Sequence, residues 1–418
     1  MNEITTNRID KTRWFSLVLM LLVGSTSAFL NCLSVYIGPL AERGWDPSIV
    51  ISAFSVMMFM AVPGSILGGK LKEKFGNRFV LKTCGLGFTL SVIAASFSTS
   101  AVMYVVFIGG FAPLFVYCIY IAQLANVGEL FPDKRGLATG SVVVGVAVAG
   151  ALVVPFAEWV TRVMEVMHGM AMFGIAFGGL TILTGFIMVE APENYKPAGW
   201  VPKEYEILDA SVANEGSEIK DVSWKKVLTL KSFWFIFIGA AVASVFVMGI
   251  QSGFVLISAN ALGISDAKAA WLYTVLAISM GGSGIVVGWI SDRVLGPVKI
   301  IAATILILAI IDAIFVIATG SSYGIYLLLV VMVGVVTGSV NTLVPVILME
   351  AWGNKYFGIN FGLFQCAGMI ASFIGGQIAV QDPIINFFII GAVVMIIGAV
   401  IFAFSGRALN KELGKKRF

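Results

Sequence analysis

Apolar runs of roughly twenty residues, the length a helix needs to cross the hydrocarbon core of a bilayer, recur from one end of the chain to the other. Bounded by charged and turn residues, they predict helices near 14–40, 47–69, 79–98, 101–130, 137–160 and 168–190, and six more near 231–261, 266–290, 298–319, 322–349, 356–379 and 383–406. A mixed, polar stretch from Ala191 to Leu230 separates the two sets. The first run follows Arg8, Lys11 and Arg13 as the core of a signal peptide would, but from Trp14 to Leu40 it is too long for one, so it reads as a retained membrane helix.

Composition supports lipid as the main solvent. Of 418 residues, 59% are hydrophobic and 12% charged, where a soluble domain carries about 25% charged. Orientation follows from lysine and arginine, which are retained on the cytoplasmic side. With the N-terminus inside, Lys70, Lys72, Lys74, Arg78, Lys134, Arg135, Arg293, Lys299, Lys355 and the tail from Arg407 to Arg417 are cytoplasmic, and only Arg43, Arg162 and Lys268 are outside. The formal charge of +4 is accounted for by these loops and needs no nucleic-acid partner.

A repeated signal supports an arrangement of six plus six. Gly69-Lys70-Leu71-Lys72-Glu73-Lys74-Phe75-Gly76-Asn77-Arg78 follows the second helix, and Gly288-Trp289-Ile290-Ser291-Asp292-Arg293-Val294-Leu295-Gly296 follows the eighth with the same order of glycine, acid, base and glycine. Repeated six-helix halves are a transporter architecture. The expected organisation is an all-α integral membrane protein of twelve helices: one half over 1–190, a cytoplasmic loop over 191–230, a second half over 231–406 and a cytoplasmic tail over 407–418, in the cell (inner) membrane. The central loop, with Pro192, Pro197 and Pro202 near its start, reads as a flexible tether with a short amphipathic helix near Trp224 to Leu230.

The loop at Gly69 to Arg78 and its echo resemble the signature loop of the major facilitator superfamily. The segments Phe131-Pro132-Asp133-Lys134-Arg135-Gly136-Leu137-Ala138-Thr139-Gly140 and Ala191-Pro192-Glu193-Asn194-Tyr195-Lys196-Pro197-Ala198-Gly199-Trp200 are similar to the oxalate/formate antiporter branch, which is monocarboxylate-transporter-like. The resemblance spans essentially the whole chain and implies a secondary transporter with the two-half fold. It places the branch's pocket tyrosine at Tyr120. It also places the two bases that hold a dianion at Gly284 and Gly368, so both positive charges are missing here.

Glu73 and Asp292 stand at helix ends beside bases, where a carboxylate can face the positive N-terminus of a neighbouring helix or pair with Arg78 or Arg293. With the resemblance, these four read as a latch on the cytoplasmic gate; the plain alternative is a solvated, topology-setting loop. The substrate site is expected near the membrane midplane between the halves, at polar side chains within apolar spans: Asn31 and Tyr36 in the first helix, Tyr117, Tyr120 and Gln123 in the fourth, Gln251 in the seventh, Thr337 and Asn341 in the tenth, and Gln365 in the eleventh. Tyr117 and Tyr120 share a helical face. For each, an ordinary interhelical hydrogen bond is the alternative, and Tyr36 also suits an interfacial aromatic belt. Ser279 and Ser283 are further pocket candidates.

No lysine or arginine lies deep in any predicted helix. That disfavours a dianion and leaves a small monocarboxylate first and a neutral polar solute second, held by neutral donors and positive helix ends. Asp312 is the one acid in mid-helix, either a proton carrier for coupling or a protonated structural residue; Glu129, Glu158 and Glu350 lie nearer helix ends. Glycines at 140, 145 and 150, with Gly174 and Gly178, predict close helix packing. Cys32, Cys84, Cys118 and Cys366 share no metal-site or disulfide spacing, and His168 is the single histidine. No cofactor, metal or catalytic constellation is implied. The expected partners are a small solute, a proton or counter-substrate, and lipid, with a monomer as the expected state. A membrane sensor and a membrane-embedded enzyme are the other classes: the enzyme lacks convergent nucleophiles or ligands, and the sensor lacks a large soluble domain.

Overall fold

The computed structural model describes residues 3–29, 33–192, 195–197, 221–252, 254–264, 266–317, 322–379, 385–414 and 418. Its helices are α1 (Glu3–Ala28), α2 (Leu33–Glu42), α3 (Pro47–Phe75), α4 (Asn77–Ser96), the single turn α5 (Ala101–Tyr104), α6 (Ala112–Leu130), α7 (Arg135–Val163), α8 (Val166–Ile187), the single turn α9 (Trp224–Val227), α10 (Lys231–Ser252), α11 (Phe254–Leu262), α12 (Asp266–Arg293), α13 (Pro297–Ile317), α14 (Tyr323–Trp352), α15 (Phe357–Ala379) and α16 (Ile385–Leu413). A π-helical segment over Val105–Phe111 joins α5 to α6. Eleven of the spans among the described residues are long and apolar enough to cross a membrane. The first predicted helix falls on α1 and α2, with residues 30–32 outside the described residues.

Local chemistry sets the boundaries. Asp46 caps α3, accepting from the Ser48 amide at 2.9 Å and the Ser48 hydroxyl at 2.8 Å, with Pro47 at the first helical position. The same two bonds hold the Asp46 carboxyl below its ordinary range, the hydroxyl being the larger cause. Gly76, at φ +82°, closes α3 by donating to the Lys72 carbonyl, a backbone state that suits glycine. The π segment has a covalent cause: Pro113 has no N–H to give the preceding turn, and the Ala112 amide reaches back five residues to the Phe107 carbonyl.

The chain forms two compact units. Unit 1 holds Met1–Asp133, Ser141–Trp200 and Asn354–Leu363; unit 2 holds Lys134–Gly140, Val201–Gly353 and Phe364–Phe418. Within unit 1, α4 packs on α8 and α3 on α6. Within unit 2, α13 packs on α16 and α12 on α14, the same pairings one repeat later. Glycine permits these approaches: a Cβ on Gly64 would stand 2.9 Å from the Tyr117 Cβ, and one on Gly334 would stand 3.0 Å from the Met280 nitrogen.

The described ends of the central loop and the residues just before it are tied to partners far away in the sequence. The Val189 amide donates to the Ser16 hydroxyl at 2.9 Å, and the Tyr195 hydroxyl donates to the Asp10 carboxylate. At the other end the Val222 amide donates to the Trp352 carbonyl at 2.9 Å, ahead of the expected short helix at Trp224–Val227. Every one of these partners is distant in sequence, so local composition had no means of showing them. Residues 198–220 lie outside the described residues.

Candidate functional site

In unit 1 the π segment leads into α6, whose residues from Cys118 to Gly128 are buried except Tyr120. Tyr117 is half-buried one turn before it. The two tyrosines lie on one face of α6 and are both partly exposed. Phe361 stands beside Tyr120 with ring centroids 6.4 Å apart. Gln123 is fully buried and donates through Nε2 to the Met20 carbonyl at 2.8 Å, which is the interhelical-bond role. Tyr36 is fully buried against Phe29, ring centroids 6.3 Å apart, inside an apolar cluster. Asn31 lies outside the described residues.

In unit 2, Gln251 near the end of α10 donates from Nε2 to the Thr337 hydroxyl at 2.8 Å, and Thr337 donates to the Val333 carbonyl at 2.8 Å. Asn341, one turn along α14, is exposed although the residues around it from 336 to 349 are buried or half-buried. Gln365 is half-buried on α15. Asn341 and Tyr120 occupy equivalent places: each precedes the same order of glutamate and lysine at the same spacing, Glu129 and Lys134 in one copy, Glu350 and Lys355 in the other. The structure thus leaves Tyr120 half-buried and Asn341 exposed at equivalent places on α6 and α14, each between buried neighbours in the chain.

The two signature loops differ. In unit 2, the Asp292 carboxylate accepts from the Gly136 and Leu137 amides, each at 2.9 Å, at the N-terminus of α7. Gly288 lies directly on Gly136, so that a Cβ there would stand 2.5 Å from the Gly136 carbonyl carbon. In unit 1, Gly69 lies on Gly358 in the same way, its Cβ position 2.7 Å from the Gly358 carbonyl carbon. Glu73, however, is exposed and forms no ion pair among the described residues. Lys72 carries the polar contact instead, paired with Glu129 and 3.4 Å from the Asn354 carbonyl. Arg78 spans the α4 and α8 ends: its guanidinium donates to the Met188 carbonyl through Nε at 2.9 Å, and its amide donates to Glu190 at 2.8 Å. Arg293 lies over the Trp289 ring at 5.1 Å and is exposed.

Asp312 is fully buried on α13, and neither carboxyl oxygen has a hydrogen-bond partner among the described residues. Sequence reasoning missed the Lys72–Glu129 pair, the Phe361 ring and the π segment. The run Gly109-Gly110-Phe111-Ala112-Pro113 was the available signal for the last; the first two join residues with no local pattern between them.

Residues 17–376 match the sequence model of the Major Facilitator Superfamily. The chain is similar to the oxalate:formate antiporter of Oxalobacter formigenes, 25% identical over 87% of this chain and 83% of that one. It is also similar to monocarboxylate transporter 13 of Bos taurus, 24% identical over 90% of this chain and 82% of that one. Among solved structures it resembles the proton:xylose symporter XylE, with a TM-score of 0.69 at 14% identity over 96% of this chain and 97% of that one. A similar likeness holds to the E. coli fucose:proton symporter FucP, with a TM-score of 0.65 at 14% identity over 93% and 98% of the two chains.

Proposed function

The chain belongs to the Major Facilitator Superfamily, and from that premise we propose that it is a secondary active transporter of a small organic monocarboxylate, working by alternating access of two six-helix halves, residues 1–190 and 231–406. One observation carries the substrate reading: the candidate side chains in the middle of the spans that are exposed or half-buried, Tyr117, Tyr120, Gln251, Asn341 and Gln365, are all neutral. Phenol and amide donors satisfy one carboxylate, whereas a dianion taken from water without a countercharge is left with a desolvation cost they do not offset. Likeness over most of the chain to transporters named for carboxylates supports the anion class.

The lysine and arginine distribution supports cytoplasmic termini and a cytoplasmic central loop. On that orientation the Asp292 carboxylate at the α7 N-terminus is a latch at the inner end of the bundle. It must release when the inner gate opens, and the charge-assisted bonds it loses set part of that barrier. Asp312 is the candidate for coupling. In a coupled cycle this buried acid would take up and release the transported proton as its surroundings change.

The test is uptake of labelled formate, acetate, lactate, pyruvate, oxalate and neutral polyols into proteoliposomes, with and without a pH gradient or internal counter-substrate. Saturable monocarboxylate flux, weakened about tenfold by Tyr120→Phe as expected when a buried donor to an anion is lost, supports the reading. Flux of oxalate or of polyols alone overturns it. The gradient and trans-loading arms separate symport from exchange, and gradient-driven uptake that survives Asp312→Asn removes Asp312 from coupling.

A further inference from the structure

In unit 2 the start of α10 and the end of α16 are bonded together. The Glu412 carboxylate accepts from the Ser232 amide at 3.1 Å and from the Ser232 hydroxyl, and deeper along the same two helices the Phe235 and Phe404 rings lie 6.3 Å apart. Lys231 and Lys411 adjoin Ser232 and Glu412 in the chain, so this bond gathers them, and Arg407 stands one turn before Lys411 on the same face of α16. Lys225 and Lys226 on α9 join the group, because the Trp234 indole donates to the Leu228 carbonyl at 2.9 Å and holds the end of that segment to α10. All five bases are exposed, and none is ion-paired among the described residues. The acid beside them, Glu412, is turned to Ser232.

Like charges gathered at one edge repel, so an anion stabilises the arrangement. The surface beneath them says which anion. Arg407 lies over the Phe404 ring at 5.3 Å and Lys225 over the Trp224 ring at 5.7 Å. Trp224 and Trp234 are exposed, as tryptophans of a membrane–water boundary are. Phe235 and Phe404 are exposed too, and Ile238 and Val400 carry the apolar wall one turn further. A free phosphate would use only the bases and a neutral lipid chiefly the wall, whereas an anionic phospholipid uses both.

Retention of basic loops on one side of the membrane does not by itself single out one half of the molecule. The equivalent helix ends of unit 1 are arranged differently: Arg13 is paired with Asp133 at 2.8 Å, Asp10 accepts from Tyr195, and Glu190 accepts from the Arg78 amide at 2.8 Å. We infer that α9, the start of α10 and the end of α16 form a binding surface for an anionic phospholipid, its phosphate held by the five bases and an acyl chain laid along the α10 and α16 wall. The inference does not depend on which solute is carried.

The experiment counts lipid bound to the purified full-length protein by native mass spectrometry during titration with phosphatidylglycerol, with phosphatidylcholine of the same acyl chains, and with glycerol 3-phosphate, which is the anion without the chains. Phosphatidylglycerol is expected to bind at least about tenfold more tightly than either, since each base near an anionic surface contributes about fivefold. The triple variant Lys231→Gln, Arg407→Gln and Lys411→Gln should lose that preference, while the charge-keeping triple Lys231→Arg, Arg407→Lys and Lys411→Arg should retain it. A matched triple at exposed bases of unit 1, Lys11→Gln, Lys70→Gln and Lys74→Gln, removes the same net charge and should leave the preference in place. On the wild-type protein, a phosphatidylglycerol with a photoreactive acyl chain should label peptides from residues 224–240 and 397–413, a readout that needs no variant to fold. Equal affinity for the two lipids, equally tight binding of glycerol 3-phosphate, equal losses in the two glutamine triples, loss in the charge-keeping triple, or labelling confined to other segments would each overturn the inference.

Discussion

The two signature loops share their glycines and differ in what their charged residues do. Gly69 on Gly358 and Gly288 on Gly136 are the same close crossing made twice, once in each unit. Around the second, the acid is engaged: Asp292 binds two amides at the start of α7. Around the first, the matching acid Glu73 is exposed, and the neighbouring Lys72 reaches Glu129 and the Asn354 carbonyl. A repeated motif therefore preserves geometry more faithfully than electrostatics. Glycine is required wherever backbones touch, because any side chain would collide, whereas a charge at a helix end can be satisfied by several partners.

The largest expected effect tests the shared part. Gly69→Val and Gly288→Val should each cut transport at least about tenfold, the consequence of overpacking a rigid backbone contact. Gly282→Val, at a position where a Cβ meets nothing within 4 Å, should be close to wild type. Equal losses at all three positions would mean that the crossings are not special.

Asp292→Asn sharpens the difference between the copies. Losing the ionic character of two bonds at a helix N-terminus costs about 1 kcal/mol, which should speed hydrogen exchange of the Gly136 and Leu137 amides about fivefold. Glu73→Gln should leave exchange at the α15 N-terminus unchanged. If both substitutions behave alike, the asymmetry is not real in solution.

The bases differ in the opposite sense. Arg78→Gln removes the donors to the Met188 carbonyl and should cost about 1 kcal/mol, read as a melting temperature lower by roughly 2 °C. Arg293→Gln, at a residue exposed over the Trp289 ring, should shift melting by less. A larger shift for Arg293 would invert the assignment.

The smallest effect concerns the anchored loop beside the first copy. Burial first, and then the bond to Asp10, raises the pKa of the Tyr195 hydroxyl above its ordinary value. A raised value means that the neutral phenol contributes fully below the unfolded value of about 10 and loses its contribution only as pH rises through the folded one. Tyr195→Phe should therefore increase proteolysis of the central loop by the same modest factor at pH 6 and at pH 9. A factor that shrinks between those values would show that the phenol ionises within that window.

Element positions were largely legible in the sequence, because crossing a bilayer demands long apolar helices whatever their neighbours. The prediction near 101–130 is met by α5, the π segment and α6 over Ala101–Leu130, and that near 137–160 by α7 over Arg135–Val163. Helix ends were less legible. α1 begins at Glu3, well before the apolar run, and its first turns carry Asp10, bonded to Tyr195, and Arg13, paired with Asp133 at 2.8 Å. The candidate list named polar residues without separating their roles, since polarity in an apolar run marks both ligand donors and interhelical ties. The fold sorts them: Gln123 spends its nitrogen on the Met20 carbonyl, while Asn341 stays exposed among buried neighbours in the chain.

By itself the sequence determined the membrane setting, the helices and the repeat, because these follow from transfer free energies and from local spacing. Which copy of the acid is engaged, which way the Gln251 amide faces and whether the loop ends are anchored were decided only by tertiary structure. Each depends on partners far apart in the chain, and a hydrogen bond forms only between groups that the packing of other residues has already brought within about 3 Å.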